Sequence, residues 1–239
     1  GFHNGHINNY FDTTLIRGSQ PEATTGYITD VLTDDALKFI RQNKDQPFFL
    51  YLPHNAVHFP LYPGREFQKK SGNGTYGDWV EEVDWSVGQV LDTLRELKLD
   101  AKTLVIFTSD NGPEGDGITT PGRGSSGGLR DGKGTLYEFG IHVPLIVRWP
   151  GKVKPGSSTA ELISGEDIAP TFLEAAGLPV PPEMTGNTDE LVEEAGVSCL
   201  RPVPSARTAN TSLLRSAFDP VRLAVVEKTI LCPSALTAR

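Results

Sequence analysis

Three short stretches of the chain carry side chains that can grip cations and anions. Asp110-Asn111-Gly112-Pro113 sets a carboxylate beside an amide oxygen. That pair suits a hard divalent cation such as Ca2+ or Mg2+, which takes oxygen ligands, although an Asx turn or a helix cap is the plainer use of such a string. Pro53-His54-Asn55-Ala56-Val57-His58-Phe59-Pro60 holds two imidazoles, able to donate to an oxyanion or act as general acid; hydrogen-bonded structural histidines are the plainer alternative. The flanking prolines exclude a helix and with it a zinc site of the HExxH kind. Gly127-Gly128-Leu129-Arg130-Asp131-Gly132-Lys133-Gly134-Thr135 embeds cations among glycines. Glycine lets backbone approach a ligand closely, and Lys133 supplies a compact charge to a phosphate or sulfate oxygen. Lys133 is followed by Gly134, so the spacing is not that of a Walker loop, and a flexible surface loop is the alternative.

These stretches follow the elements that would position them. Ile28, Val31, Leu32, Ala36, Phe39 and Ile40 recur at helical spacing, with Thr29 or Thr33 expected to cap the helix. Pro47 to Pro53 is a continuous apolar run between prolines, which reads as a strand buried on both faces. A longer helical stripe runs from Trp79 to Leu99, followed by a strand at Thr103 to Thr108 and a third strand candidate at Val143 to Trp149. A last helix is expected from Glu166 to Ala176, with Pro170 in its first turn. Residues 1–26 read as loop with a short strand, and 112–134 as a long glycine-rich loop. Strand, helix, strand in this order implies an α/β fold with a mostly parallel sheet covered by helices. Ligands in such sheets gather beyond the carboxyl ends of the strands, which selects the segments after Leu52 and after Thr108.

The chain has 239 residues and a net charge of -8. That charge argues against a general nucleic-acid binder, while a local cluster of donors can still take a small anion. No run reaches the roughly 18–20 apolar residues of a membrane-spanning helix. Cys199 and Cys232 form neither a disulfide framework nor a CxxC pair, and the first residues show no signal-peptide pattern. From Asn187 to Arg239 there is one glycine and no Trp or Tyr. This stretch is expected to be poorly ordered or foreign to the domain, with Val221 to Ile230 as its strand candidate.

Taken in order, HNAVHFP after a strand, VIFTSDNGP after a strand and then LRDGKGTLYE resemble the sulfatase family of the alkaline-phosphatase-like superfamily, arylsulfatases in particular. The likeness runs from about Gly1 to Gly186 and includes Thr25-Gly-Tyr-Ile-Thr-Asp and Asp167-Ile-Ala-Pro-Thr-Phe. The resemblance implies hydrolysis of a small-molecule or carbohydrate sulfate ester, with His58 and Lys133 contacting the sulfate and Asp110 and Asn111 as ligands of a divalent cation, usually calcium. It also implies a formylglycine nucleophile made from a Cys or Ser in a Cys/Ser-x-Pro-x-Arg motif. The sequence has no such motif, since Cys199 continues Leu-Arg-Pro and Cys232 continues Pro-Ser-Ala. The family's paired aspartates and Lys-Trp-His segment are also missing.

The resemblance therefore implies the central and C-terminal part of a sulfatase catalytic domain, residues 1–186, expected to be inactive alone and to bind calcium poorly. A periplasmic, secreted or lysosomal location is implied for an intact member. Where the family has Glu-Gly-Gly-x-Arg-x-Pro, this chain reads Glu138-Phe139-Gly140-Ile141-His142-Val143-Pro144, and His142 is expected to be structural. Two other readings stand beside the first: a phosphoester or phosphonate hydrolase of the same superfamily, and a non-catalytic relic of the fold. Asn73-Gly74-Thr75 and Asn210-Thr211-Ser212 match the N-glycosylation pattern, which matters only in a eukaryotic secretory pathway.

Overall fold

The computed structural model describes residues 10–114 and 128–186 and the backbone of 222–227. Two short exposed strands, β1 (Thr14–Arg17) and β2 (Gln20–Ala23), form an antiparallel hairpin turned at Gly18, whose φ is +63°. The hairpin replaces the single strand expected before residue 26; Leu15 is the one half-buried residue of the two strands, too little to impose an alternating pattern.

Then follow α1 (Ile28–Gln42), β3 (Phe49–Pro53), α2 (Gly74–Glu96), a 3-10 turn at Asp100–Lys102 and β4 (Thr103–Thr108). Next come α3 (Glu138–Ile141), β5 (Leu145–Arg148), α4 (Gly165–Ala175) and β6 (Arg222–Glu227).

The main sheet has the order β3-β6-β4-β5. β6 is parallel to both β3 and β4, and β5 is antiparallel to β4. The strand candidate within 221–230 thus corresponds to β6, in the middle of the sheet; the remainder of 187–239, with both cysteines and Asn210, lies outside the described residues.

Side-chain alternation along the strands assigns the two covers. Leu52 and Val105, with Leu50 and Phe107, pack against Ala36 and Ile40 of α1 and Val90 and Leu94 of α2. Leu104 and Ile106 face the other way, toward Phe172 and Ala175 of α4 and toward Trp149. β4 is therefore apolar on both faces, as a covered strand must be. Each fully buried aliphatic here contributes on the order of 1.5–3 kcal/mol by leaving water.

Local chemistry shifts several element ends. α1 starts after Tyr27 with no side-chain cap. Neither Thr29 nor Thr33 serves as the cap; Thr33 lies inside the helix, its hydroxyl bonded to the Thr29 carbonyl at 2.7 Å. α2 begins at Gly74, five residues before Trp79. Its first turns are fixed by Asp78, which accepts from the backbone N–H of Lys69 at 2.7 Å and of Ser71 at 2.8 Å.

α4 opens with a reciprocal cap, in which Ser164 accepts from Glu166 and Asp167 accepts from the Ser164 N–H. Pro170 is the sixth residue of this helix, past the first turn. Having no N–H, it leaves the Glu166 carbonyl without its helical donor. Gly186 passes directly over that carbonyl, where a Cβ would lie 2.1 Å from the oxygen.

Candidate functional site

The register of the sheet sets the site. Pro53 at the end of β3 and Thr108 at the end of β4 are both level with Glu227 of β6. The segments carrying His54–His58 and Ser109–Asn111 therefore leave the same edge of the sheet, two strand spacings (about 9–10 Å) apart.

Leaving β3, the two histidines part company. His54 is buried, with Nε2 3.0 Å from Ser86 Oγ of α2. Ser86 Oγ is in turn 2.6 Å from Thr33 Oγ1, which donates to the Thr29 carbonyl. Since the Thr33 proton is committed to that carbonyl, Ser86 donates to Thr33 and accepts from His54 Nε2–H. The chain of bonds fastens the segment to both helices and gives His54 a structural task.

His58 is exposed. Its backbone N–H closes a turn on Asn55 O at 2.9 Å, and its Nδ1 is 2.6 Å from the Phe59 carbonyl. A carbonyl only accepts, so Nδ1 carries the proton of this bond.

Beyond β4, Ser109 is buried and its hydroxyl donates to the Asn111 carbonyl at 2.9 Å. The Asn111 side chain donates through Nδ2 to Gly112 O at 2.8 Å. Asp110, the residue before it, is exposed. Two adjacent oxygen donors fit a hard cation in kind, and they cover only part of the six to eight oxygens calcium takes. Among the described residues no cluster of three or more His, Cys, Asp or Glu side chains could hold a metal ion.

The third stretch joins the same edge through backbone pairing. Lys133 N–H donates to Pro113 O at 2.8 Å, Gly112 N–H to Gly140 O at 3.0 Å, and Phe139 N–H to Arg130 O at 3.2 Å. A tight turn, Thr135 Oγ1 to Gly132 O at 2.8 Å, presents Lys133 between Asp131 and Gly134, both at positive φ. Lys133 itself is exposed.

The chain comes close enough here that two glycines are required by space. A Cβ on Gly112 would lie 1.8 Å from Phe139 O, and one on Gly140 would lie 2.3 Å from Thr135 O. Phe139 is buried beneath the turn. His142 caps the short α3, its N–H on Glu138 O and its ring 2.8 Å from the Glu138 carboxylate. Arg130 lies flat on Tyr137, 3.6 Å from the ring centroid.

The segments that carry His58 and Asp110-Asn111 therefore leave the same edge of the sheet, and the segment that carries Lys133 is bonded to the second of them. Gly127 and the rest of 115–127 lie outside the described residues. Sequence reasoning missed the Ser86–Thr33 support of His54, because a serine in a helical stripe carries no mark of its partner. It also missed Gly140, whose need for space shows only once Thr135 is folded against it.

The family model described as Sulfatase matches residues 2–178. Human steryl-sulfatase is 43% identical over 157 residues, covering 64% of this chain and 27% of that protein. The N-acetylgalactosamine-6-O-sulfatase of Bacteroides thetaiotaomicron is 40% identical over 170 residues, covering 68% of this chain and 33% of the relative. Among solved structures, the PsFucS1 sulfatase from Pseudoalteromonas sp. superposes with a TM-score of 0.67 at 32% identity, over 76% of this chain and 39% of that one. The chain thus spans about a third or less of the length of these curated relatives.

Proposed function

The chain belongs to the sulfatase family, and from that premise we propose that its exposed sheet edge is the sulfate-gripping and cation-holding side of a sulfuric ester hydrolase site. Its α/β sheet has the alkaline-phosphatase-like architecture of the solved sulfatases it matches. The observation that carries the proposal is the common level of Pro53 and Thr108, with Lys133 bonded onto Pro113.

Each residue has a task that its surroundings support. Lys133, on a turn with its ammonium in solvent, meets sulfate oxygens as a point charge. His58 Nε2 meets another, the ring being oriented by its Nδ1–H bond to the Phe59 carbonyl. Asp110 and the Asn111 Oδ1 would hold a calcium or magnesium ion; when bound, such an ion neutralises charge on the transferring group. Electrostatic complementarity of this kind is worth more as the sulfuryl group gains charge on its way to the transition state.

The formylglycine does not fit this chain, because the sequence contains no Cys/Ser-x-Pro-x-Arg motif. No nucleophilic step is assigned to its residues. The substrate class follows the family, a small-molecule or carbohydrate sulfate ester. Human steryl-sulfatase and the bacterial N-acetylgalactosamine-6-O-sulfatase, by their names, act on a sterol and an amino sugar.

Titration of the chain with inorganic sulfate in the presence of calcium tests the proposal. Saturable binding that Lys133→Ala and Asp110→Ala both weaken is expected, with no turnover of an aryl sulfate. Sulfate binding indifferent to both substitutions would contradict it.

A further inference from the structure

Tyr62 stands four residues beyond His58, in the segment that leaves the carboxyl end of β3, and it is 48% exposed. Half-exposed tyrosines are ordinary; this one is fixed from behind. Tyr10 stacks on its ring with centroids 5.7 Å apart and planes 16° from parallel. Tyr10 is buried and stands edge-on to Trp79 at 5.4 Å and 87°, and Trp79 is fully enclosed. Phe11 meets Tyr62 edge-on at 6.1 Å.

The backbone is held as firmly as the ring. Tyr10 Oη donates to Pro60 O at 3.0 Å, and Tyr27 Oη donates to Tyr62 O at 2.6 Å. One ring face is thus committed to an aromatic column rooted in the core, while about half of the residue remains exposed. A rigid aromatic face costs little entropy to bind against. Four residues reach at most about 14 Å, so the face lies within range of a group esterified to a sulfate held at His58.

We propose that Tyr62 is the platform on which the organic part of the sulfate ester stacks, and that this chain favours esters of a ring, aryl or pyranose, over open-chain sulfates. The inference rests on the sulfate-binding reading above. The shared chemistry is a flat π face or the C–H face of a sugar chair, either of which packs on an aromatic ring.

The test is an NMR titration of the full chain with inorganic sulfate, methyl sulfate, phenyl sulfate and a monosaccharide O-sulfate. At least one ring ester is expected to bind about three- to tenfold more tightly than methyl sulfate, the range an aromatic contact supplies; the tighter of the two ring esters identifies the source of the ring. Tyr62→Ala brings that ratio to about one and leaves inorganic sulfate unchanged, and Tyr62→Phe keeps the ratio. Tyr62→Leu, which retains apolar packing on Tyr10, shows the same loss should the alanine variant fail to fold. A ratio that survives in Tyr62→Ala or Tyr62→Leu overturns the platform while the sulfate reading stands. A chain that binds none of the four overturns both, whereas Lys133→Ala weakening all four together upholds the sulfate reading.

Discussion

The backbone N–H of Lys133 donates to the carbonyl oxygen of Pro113 at 2.8 Å, so the turn that carries this lysine is tied three residues from Asp110. A second rung, Gly112 N–H to Gly140 O at 3.0 Å, lies beside it. Together they form a small ladder outside the sheet, and its closeness is what forbids a side chain at Gly112. Gly112→Ala is expected to push the Lys133 turn away, because its Cβ would meet Phe139 O at 1.8 Å. Urea unfolding should show a loss of about 1–3 kcal/mol, the usual cost of overpacking. Sulfate titration should show weaker binding than that loss alone explains.

Loss of the oriented imidazole should weaken the anion site. The Phe59 carbonyl 2.6 Å from His58 Nδ1 fixes the ring, and His58→Ala is expected to weaken sulfate binding by about tenfold in a calorimetric titration. Unchanged affinity would remove His58 from the site.

Acid stability has a specific contributor in Asp78. Burial pushes its carboxyl up, but the N–H groups of Ser71 and Lys69 outweigh that, and the net shift is downward. A carboxyl held below its unfolded value stabilises the fold above about pH 4 and loses that contribution as pH falls through the folded value. Unfolding followed from pH 6 to pH 2 should therefore show stability declining below about pH 4. Asp78→Asn is expected to be less stable at neutral pH and to show a shallower acid limb.

The composition of residues 187–239 argues for a stretch that stands apart, yet the backbone of 222–227 pairs with strands on both sides. Proline cannot donate to a ladder and is excluded from central strands. Ala224→Pro should destabilise the chain by about 1–3 kcal/mol and speed hydrogen exchange in both 49–53 and 103–108. Unchanged exchange in those two strands would mean that β6 does not splint them.

How much of this was legible in the sequence varies with the range of the interaction. β4 was read to the residue, because Leu104–Phe107 is a continuous apolar run between two threonines, with Asn111-Gly112-Pro113 soon after it. The helices were read by their buried stripes and missed at their starts. α2 begins at Gly74 because Asp78 organises the loop before it, and α1 begins after Tyr27 without the threonine cap that composition suggested. Pro170 was placed a turn too early, since the Ser164 and Asp167 cap fixes the start of α4 one residue before Glu166. The site residues were legible as types, and the common edge from which the segments after Leu52 and Thr108 leave was legible from the strand ends. The aromatic column behind Tyr62 was not, because Tyr10, Tyr62 and Trp79 are far apart in the chain and share no period.

The most direct measurement follows the His58 ring and Lys133 side-chain NMR signals during one sulfate titration in calcium. Gathering at one edge predicts that both signals shift along a single isotherm with one dissociation constant, and that Lys133→Ala weakens the response of His58. Two different constants, or a response confined to one of the two residues, would contradict the shared site.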